Sequence, residues 1–310
     1  MSEKYLHITA TEKDYSFLAQ EMGCQVQIEE KTEKLDRAWI GTKDEALAPA
    51  SENGEAYALK AEKNSLNIAA NGAEGLSLGL RKYLSLLRDG RMEQGKTYQE
   101  KPVMRFRGLH LCIFPENDGT EKEDTSPEAL RAMIREAALN GYNHVFLEFW
   151  GQFPYQRRPY ACWPDSPYTP QVVKDLLKEC QEGWHMQPIP VQNLTSHAGW
   201  SRIGSRKHVV LDQRKDLSPM WIPGGWCFAT ENPDTKAYLK DIMDELIDAY
   251  GKPPMLHVST DKCFGFGSTE ADRTVDADVL FVRHLNFLHD ALADRGARMV
   301  MWADMLYGAL

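Results

Sequence analysis

The chain has little of what would tie it to a membrane, a nucleic acid or an oxidising compartment. No apolar run reaches the ~18 residues that a spanning helix needs, and the opening MSEKYLHITATEKDY holds no apolar stretch of the secretory kind. Lysine and arginine (36) are outnumbered by aspartate and glutamate (45), giving a net charge of −9 with no basic block. A phosphate backbone would be repelled rather than gripped, which excludes nucleic acid as the expected partner. The six cysteines (Cys24, Cys112, Cys162, Cys180, Cys227, Cys263) are scattered, and no CxxC pair occurs. That spacing excludes a disulfide framework and a zinc knuckle and fits reduced thiols, so a cytoplasmic location is expected. HExxH is absent too, and neither a metal nor another cofactor is expected.

What is there suits a soluble enzyme-sized chain. At 310 residues with 43% hydrophobic content, it can form two domains or one large α/β barrel. Residues 1–100 are polar, with one clear block. Tyr57, Leu59 and Ala61 alternate with polar or small neighbours, and Leu66 and Ile68 follow a turn at Asn64, so a hairpin is expected. Leu76, Leu80, Tyr83, Leu84 and Leu87 then recur at helical spacing. This predicts a small α+β domain, followed by a linker from Asp89 to Pro102.

From residue 103 to 310 the pattern changes to strand–helix alternation. Strands are predicted at 104–112 (MRFRGLHLC), 143–150 (NHVFLEFW), 186–193 (MQPIPVQN), 255–260 (MLHVST) and 298–302 (RMVMW). Ser126-Pro127, Thr169-Pro170 and Asn232-Pro233 each place a cap and a proline where a helix opens. A fourth helix runs through Leu280, Leu285, Leu288 and Leu292. Such alternation implies a parallel sheet, either doubly wound or closed into a (β/α) TIM-type barrel. Polar and aromatic residues gather at the strand C-termini, where barrel active sites lie, which favours the barrel. A closed barrel needs about eight units, so the chain is either truncated after the fifth strand or completed in another way. An unfinished edge would favour a homo-oligomer.

In a barrel the strand ends converge. They supply Arg107 on the first strand, Glu148 and Trp150 on the second, and Gln192 and Asn193 on the third, with His197 and Trp200 beyond. The fourth adds His257, Asp261 and Lys262, and the fifth Trp302 and Asp304. Guanidinium, carboxylates and flat indole faces are what a sugar pocket needs. The segment 194–231, with Trp200, Trp221 and Trp226, is too long for a plain connection and is expected to be an ordered lid.

Several of these runs resemble glycoside hydrolase family 20. LHVSTDK (256–262) is similar to its strand ending His-x-Gly-x-Asp-Glu, and RFRGLHL (105–111) to its first-strand motif, whose arginine grips sugar hydroxyls. NHVFLEFWGQFPY, IPVQNLTSHAGW and MVMWADML resemble its second, third and fifth strand segments, and residues 55–87 its small preceding domain. The resemblance implies retaining, substrate-assisted removal of terminal β-linked N-acetylhexosamines, outside the two-carboxylate scheme. It gives Asp261 the role of orienting the substrate acetamido group, Arg107 that of binding hydroxyls, and His197 and His257 supporting ones.

The resemblance breaks at the proton donor. Lys262 stands where the family has its acid Glu, and a lysine starts near ~10.4, far from the neutral range a general acid wants. Glu148 is the alternative acid. Cys112 lies where an Asp often sits, Ser259 and Thr260 where glycines are usual, and Ser196 precedes His197 in place of Gly. The expected function is a β-N-acetylhexosaminidase-type hydrolase, with a catalytically silent sugar-binding protein of the same fold as the alternative. An unrelated open α/β sheet is a third reading. The residues also have plain readings: His257 as a core histidine, Asp261 as a helix cap, Glu148 and Trp302 as barrel-layer residues, Lys262 as the partner of Asp261 or Glu148, and Arg107 as half of a salt bridge.

Overall fold

A computed structural model of the chain describes residues 4–10, 12–114, 125–199 and 207–307. The N-terminal region forms strands β1 (Tyr5–Ile8), β2 (Gln25–Ile28), β3 (Asp36–Ile40), β4 (Tyr57–Glu62), β5 (Ser65–Ala70) and β6 (Thr97–Glu100), with helices α1 (Ser16–Glu21) and α2 (Ala73–Arg88). Next come β7 (Gly108–Ile113), α3 (Pro127–Leu139), β8 (His144–Phe149), α4 (Pro170–Lys178), β9 (Gln187–Val191), α5 (Pro233–Ala249), β10 (Met255–His257), α6 (Ala277–Ala293), β11 (Arg298–Val300) and the single turn α7 (Asp304–Tyr307). Two compact units result. One holds Met1–Leu109, Ala132–His144 and Lys178–Gln187; the other holds His110–Arg131, Val145–Leu177 and Pro188–Leu310.

The first unit carries a six-stranded sheet in the order β2-β1-β3-β5-β4-β6. The expected hairpin is β4–β5, paired antiparallel from Tyr57↔Ala70 to Glu62↔Ser65. The expected helix is α2, which buries Leu76, Leu80 and Leu84; each such leucine stabilises the unit by about 1.5–3 kcal/mol. It comes so close to the sheet that a Cβ on Gly79 would lie 2.6 Å from Ile68 Cγ2. Thr97–Glu100, expected within a linker, is instead β6 and pairs with β4. The buried Arg37 donates to the carbonyls of Asp44, Glu45 and Leu47, which organises the loop after β3.

The second sheet runs β11-β10-β9-β8-β7. Its five strands are parallel, as the alternation with helices predicts, and it is not closed into a barrel among the described residues, with β7 and β11 at its edges. The proline signals act as expected: Asn232 Oδ1 caps α5 through the Asp234 N–H, 2.9 Å away, and Asp276 caps α6 likewise. No helix of the described residues is long and apolar enough to cross a membrane.

All five predicted strands differ at their ends from those observed, and two of the differences bear on the site. The first begins at Gly108 rather than Met104, which leaves Arg107 ahead of it. The fourth stops at His257, because Ser259, Thr260 and Lys262 take left-handed backbone angles (φ 61°, 73° and 48°) that no strand can continue.

Candidate active site at the strand ends

Five strand C-termini in the second unit bring a chain of touching side chains together. Its centre is Glu148, at the end of β8 and almost fully buried. His110 Nε2 lies 3.0 Å from Glu148 Oε2, the Cys112 thiol donates to the same oxygen at 3.3 Å, and the Asn193 amide donates to Oε1 at 2.8 Å. Burial alone would raise this carboxyl, but the contacts from His110, Asn193 and Cys112 outweigh it and hold Glu148 below the ordinary glutamate range.

The indole of Trp302 leads from this cluster to the next residues. Its ring centroid is 5.7 Å from that of His110 and 4.6 Å from that of His257. His257 is buried, accepts the Ser259 N–H on Nδ1 at 3.1 Å, and is pushed down by desolvation to about 4. It therefore stays neutral near pH 7. Trp302 N–H donates to the Ser259 carbonyl at 2.9 Å, which anchors β11 to the left-handed turn after β10.

That turn presents Asp261 and Lys262. Lys262 Nζ donates to Asp261 Oδ2 at 2.7 Å, and His197 Nε2 lies 3.5 Å from the same oxygen. Burial works to raise the Asp261 carboxyl, yet His197 and Lys262 together hold it well below the usual carboxylate range. Its partner shifts the other way: the hydrogen bond to Asp261 raises Lys262 above its ordinary value. The Lys262 N–H reaches Asp304 Oδ2 at 3.4 Å, and the Lys262 carbonyl accepts from Trp226 Nε1 at 2.7 Å. Ser196 Oγ donates to the Asp261 carbonyl.

His197 itself has a left-handed backbone (φ 49°) and sits between Trp226 and Trp150, with ring centroids 4.4 and 5.4 Å away. A cavity of about 30 Å³ lies beneath Trp150 and His197, bounded by Gln192 and Asn193. It has room for about one water and not for a larger ligand; Trp302, which does not line it, is 41% exposed.

Of the residues named from sequence, the structure gathers Glu148, Trp150, His197, His257, Asp261, Lys262, Trp302 and Asp304 at these strand ends. Arg107 is not among them. It belongs to the first unit, where its guanidinium makes a two-pronged pair with Glu55 (2.8 and 3.1 Å) and donates to the Gly141 carbonyl at 2.8 Å. The correction follows from register, since Arg107 precedes β7 and so lies at its N-terminal end. Trp200 lies outside the described residues. Sequence reasoning missed His110, named Trp226 only as part of the lid segment, and gave Cys112 no part in the chemistry. The alternation His110-x-Cys112 on one strand face was the available signal for the first pair.

No family model matches the sequence, and no curated protein matches it. Solved structures do match its fold. A family 20 β-N-acetylhexosaminidase from Streptomyces coelicolor A3(2) superposes with a TM-score of 0.66 at 15% identity, covering 98% of this chain and 64% of that one. A family 20 exo β-N-acetylglucosaminidase from Vibrio harveyi, solved with N-acetylglucosamine, gives 0.65 at 15% identity, covering 100% and 54%. A β-N-acetylhexosaminidase from Bacteroides fragilis gives 0.66 at 14%, covering 99% and 64%. The chain thus spans between 54% and 64% of the length of these relatives. At such identities the likeness is one of fold: this chain has the glycoside hydrolase fold of the family 20 β-N-acetylhexosaminidases.

Proposed function

We propose that this chain binds a sugar of the N-acetylhexosamine type at the strand ends of its second unit and does not hydrolyse it. The supporting observation is the Lys262–Asp261 pair at 2.7 Å. A general acid must give up a proton near the working pH, and the ion pair moves Lys262 further from that range rather than toward it. An ammonium there also opposes the positive charge that develops on a departing glycosyl group. Glu148 cannot stand in, because its contacts keep it ionised at neutral pH and leave it no proton to donate. Asp261, in contrast, is an anion already positioned by His197 and Lys262, suited to accept an acetamido N–H. Trp302, Trp150 and Trp226 offer flat faces of the kind that sugar rings stack on.

Calorimetric titration with N-acetylglucosamine and with its thiazoline analogue, which mimics the cyclised intermediate, tests the binding. An aryl N-acetyl-β-glucosaminide tests for turnover. The expected result is Asp261-dependent binding of the thiazoline with no measurable release of the aryl group. Turnover that disappears in Lys262→Met would make the chain a hydrolase using an unusual acid. Absence of binding to either sugar would remove both readings.

A further inference from the structure

Around Glu148 the same atoms have a second chemical meaning. His110 Nε2, Cys112 Sγ and a Glu148 carboxylate oxygen all lie within 4.8 Å of one another, a grouping of the kind that holds a metal ion. The edges of this triangle are 3.0 Å (N to O), 3.3 Å (S to O) and 3.9 Å (S to N). A tetrahedral zinc bonded at about 2.0–2.1 Å to nitrogen and oxygen and about 2.3 Å to sulfur requires donor separations of roughly 3.3–3.6 Å. The three edges bracket that range, so a cation could enter with shifts of a few tenths of an ångström.

The backbone explains the grouping. His110 and Cys112 are two apart on β7, so both side chains leave the same face of the strand. Glu148 comes from β8, the neighbouring strand in the sheet. Asn193, following β9, holds the second carboxylate oxygen and fixes how the first is aimed, as outer partners of metal ligands do. Glu148 is buried, and a cation would compensate the charge of its carboxylate directly. The His110 side chain is 29% exposed, which leaves a route in from solvent.

The geometry points to a binding site for one borderline divalent cation, Zn²⁺ being the best match, formed by His110, Cys112 and Glu148 with Asn193 as a positioning residue. Mixed nitrogen, sulfur and carboxylate donors suit zinc and cobalt better than calcium or magnesium, which prefer oxygen alone. Three protein ligands leave a fourth position open, the arrangement of zinc sites that accept an exogenous oxygen rather than closed structural ones. Binding replaces hydrogen bonds with coordinate bonds. The Cys112 thiol proton passes to solvent, the His110 ring carries its proton on Nδ1 so that Nε2 presents a lone pair, and the cation takes the thiolate, the neutral imidazole and the carboxylate.

The test uses the full chain, freed of metal with a chelator and titrated with Co²⁺ and then Zn²⁺. The expected result is one equivalent of cobalt bound with a near-ultraviolet thiolate-to-cobalt band, displaced by one equivalent of zinc. Cys112→Ser, nearly isosteric, should abolish the band, and Asn193→Ala should keep it while weakening binding by about 10–100-fold. Cys162→Ser should behave as the parent chain. Failure to bind one equivalent would overturn the site, as would a thiolate band that survives in Cys112→Ser. Because no sugar is involved, the outcome is independent of the carbohydrate reading.

Discussion

Two buried histidines, one in each unit, share an unusual backbone but sit in opposite surroundings. His185 (φ 52°) and His197 (φ 49°) both take left-handed angles that non-glycine residues seldom adopt. In the first unit both ring nitrogens of His185 meet neutral partners: Nδ1 lies 2.6 Å from Ser77 Oγ and Nε2 2.7 Å from the Asp14 carbonyl. His197, in the second, has Nε2 directed at the Asp261 carboxylate, Nδ1 without a hydrogen-bond partner among the described residues, and an indole close on either side. One ring completes a saturated polar network and locks local structure. The other keeps hydrogen-bonding capacity beside a charge. Chemistry belongs to the second kind of site, because a group whose partners are all in place has nothing left to offer a ligand.

The largest test of this contrast is pH. Burial lowers His185, His208, His257 and His284 each to about 4 in the folded chain, against an ordinary value of 6.5. As pH falls below about 6.5 the unfolded chain takes up protons on these rings while the folded chain does not. The stability these rings contribute is therefore full above pH 6.5, drops steadily toward pH 4, and levels off below it. Urea midpoints measured at several pH values should fall by amounts consistent with four linked protons; a flat profile down to pH 4.5 would show that the rings are not held neutral.

Next in size is the polar network of the first unit. The side chains of Glu55 and Arg107 are only 19% and 14% exposed. Glu55→Ala should cost about 2–3 kcal/mol, between the values for exposed and buried pairs, and leave cobalt and thiazoline titrations unchanged. Loss of thiazoline binding in this variant would mean that Arg107 serves the sugar after all.

The smallest effect is a gain. Ser259 combines φ 61° with a buried Oγ that has no hydrogen-bond partner among the described residues. Ser259→Gly relieves both and should stabilise the chain by about 1 kcal/mol, seen as a rise in the thermal midpoint. A lowered midpoint would show that the hydroxyl has a function worth its strain.

Much of the second unit was legible because its signals are local. Leu239, Ile242, Met243 and Leu246 mark the buried face of α5, and Asn232-Pro233 marks its start. β1 and β2 were not legible: each is four residues long, too short for a period-two pattern to stand out. The site was half legible for the same reason. Asp261 and Lys262 stand in one short motif, whereas the meeting of His110, Cys112, Glu148 and Asn193 depends on three strands lying side by side, a pairing that no local spacing encodes. Arg107 was misplaced because a shift of four residues in where β7 begins moves it to the other end of the strand. Trp226 was named only within a lid, because a long connection whose turns have no periodicity does not say which side chain meets the site.

The indole nitrogen of Trp226, which packs tilted against His197, is held by the Lys262 carbonyl, and this has an optical consequence. An indole whose hydrogen bond is broken emits at a different wavelength. The position of one loop is thus written into the contribution that Trp226, one of eight tryptophans, makes to the intrinsic fluorescence of the chain.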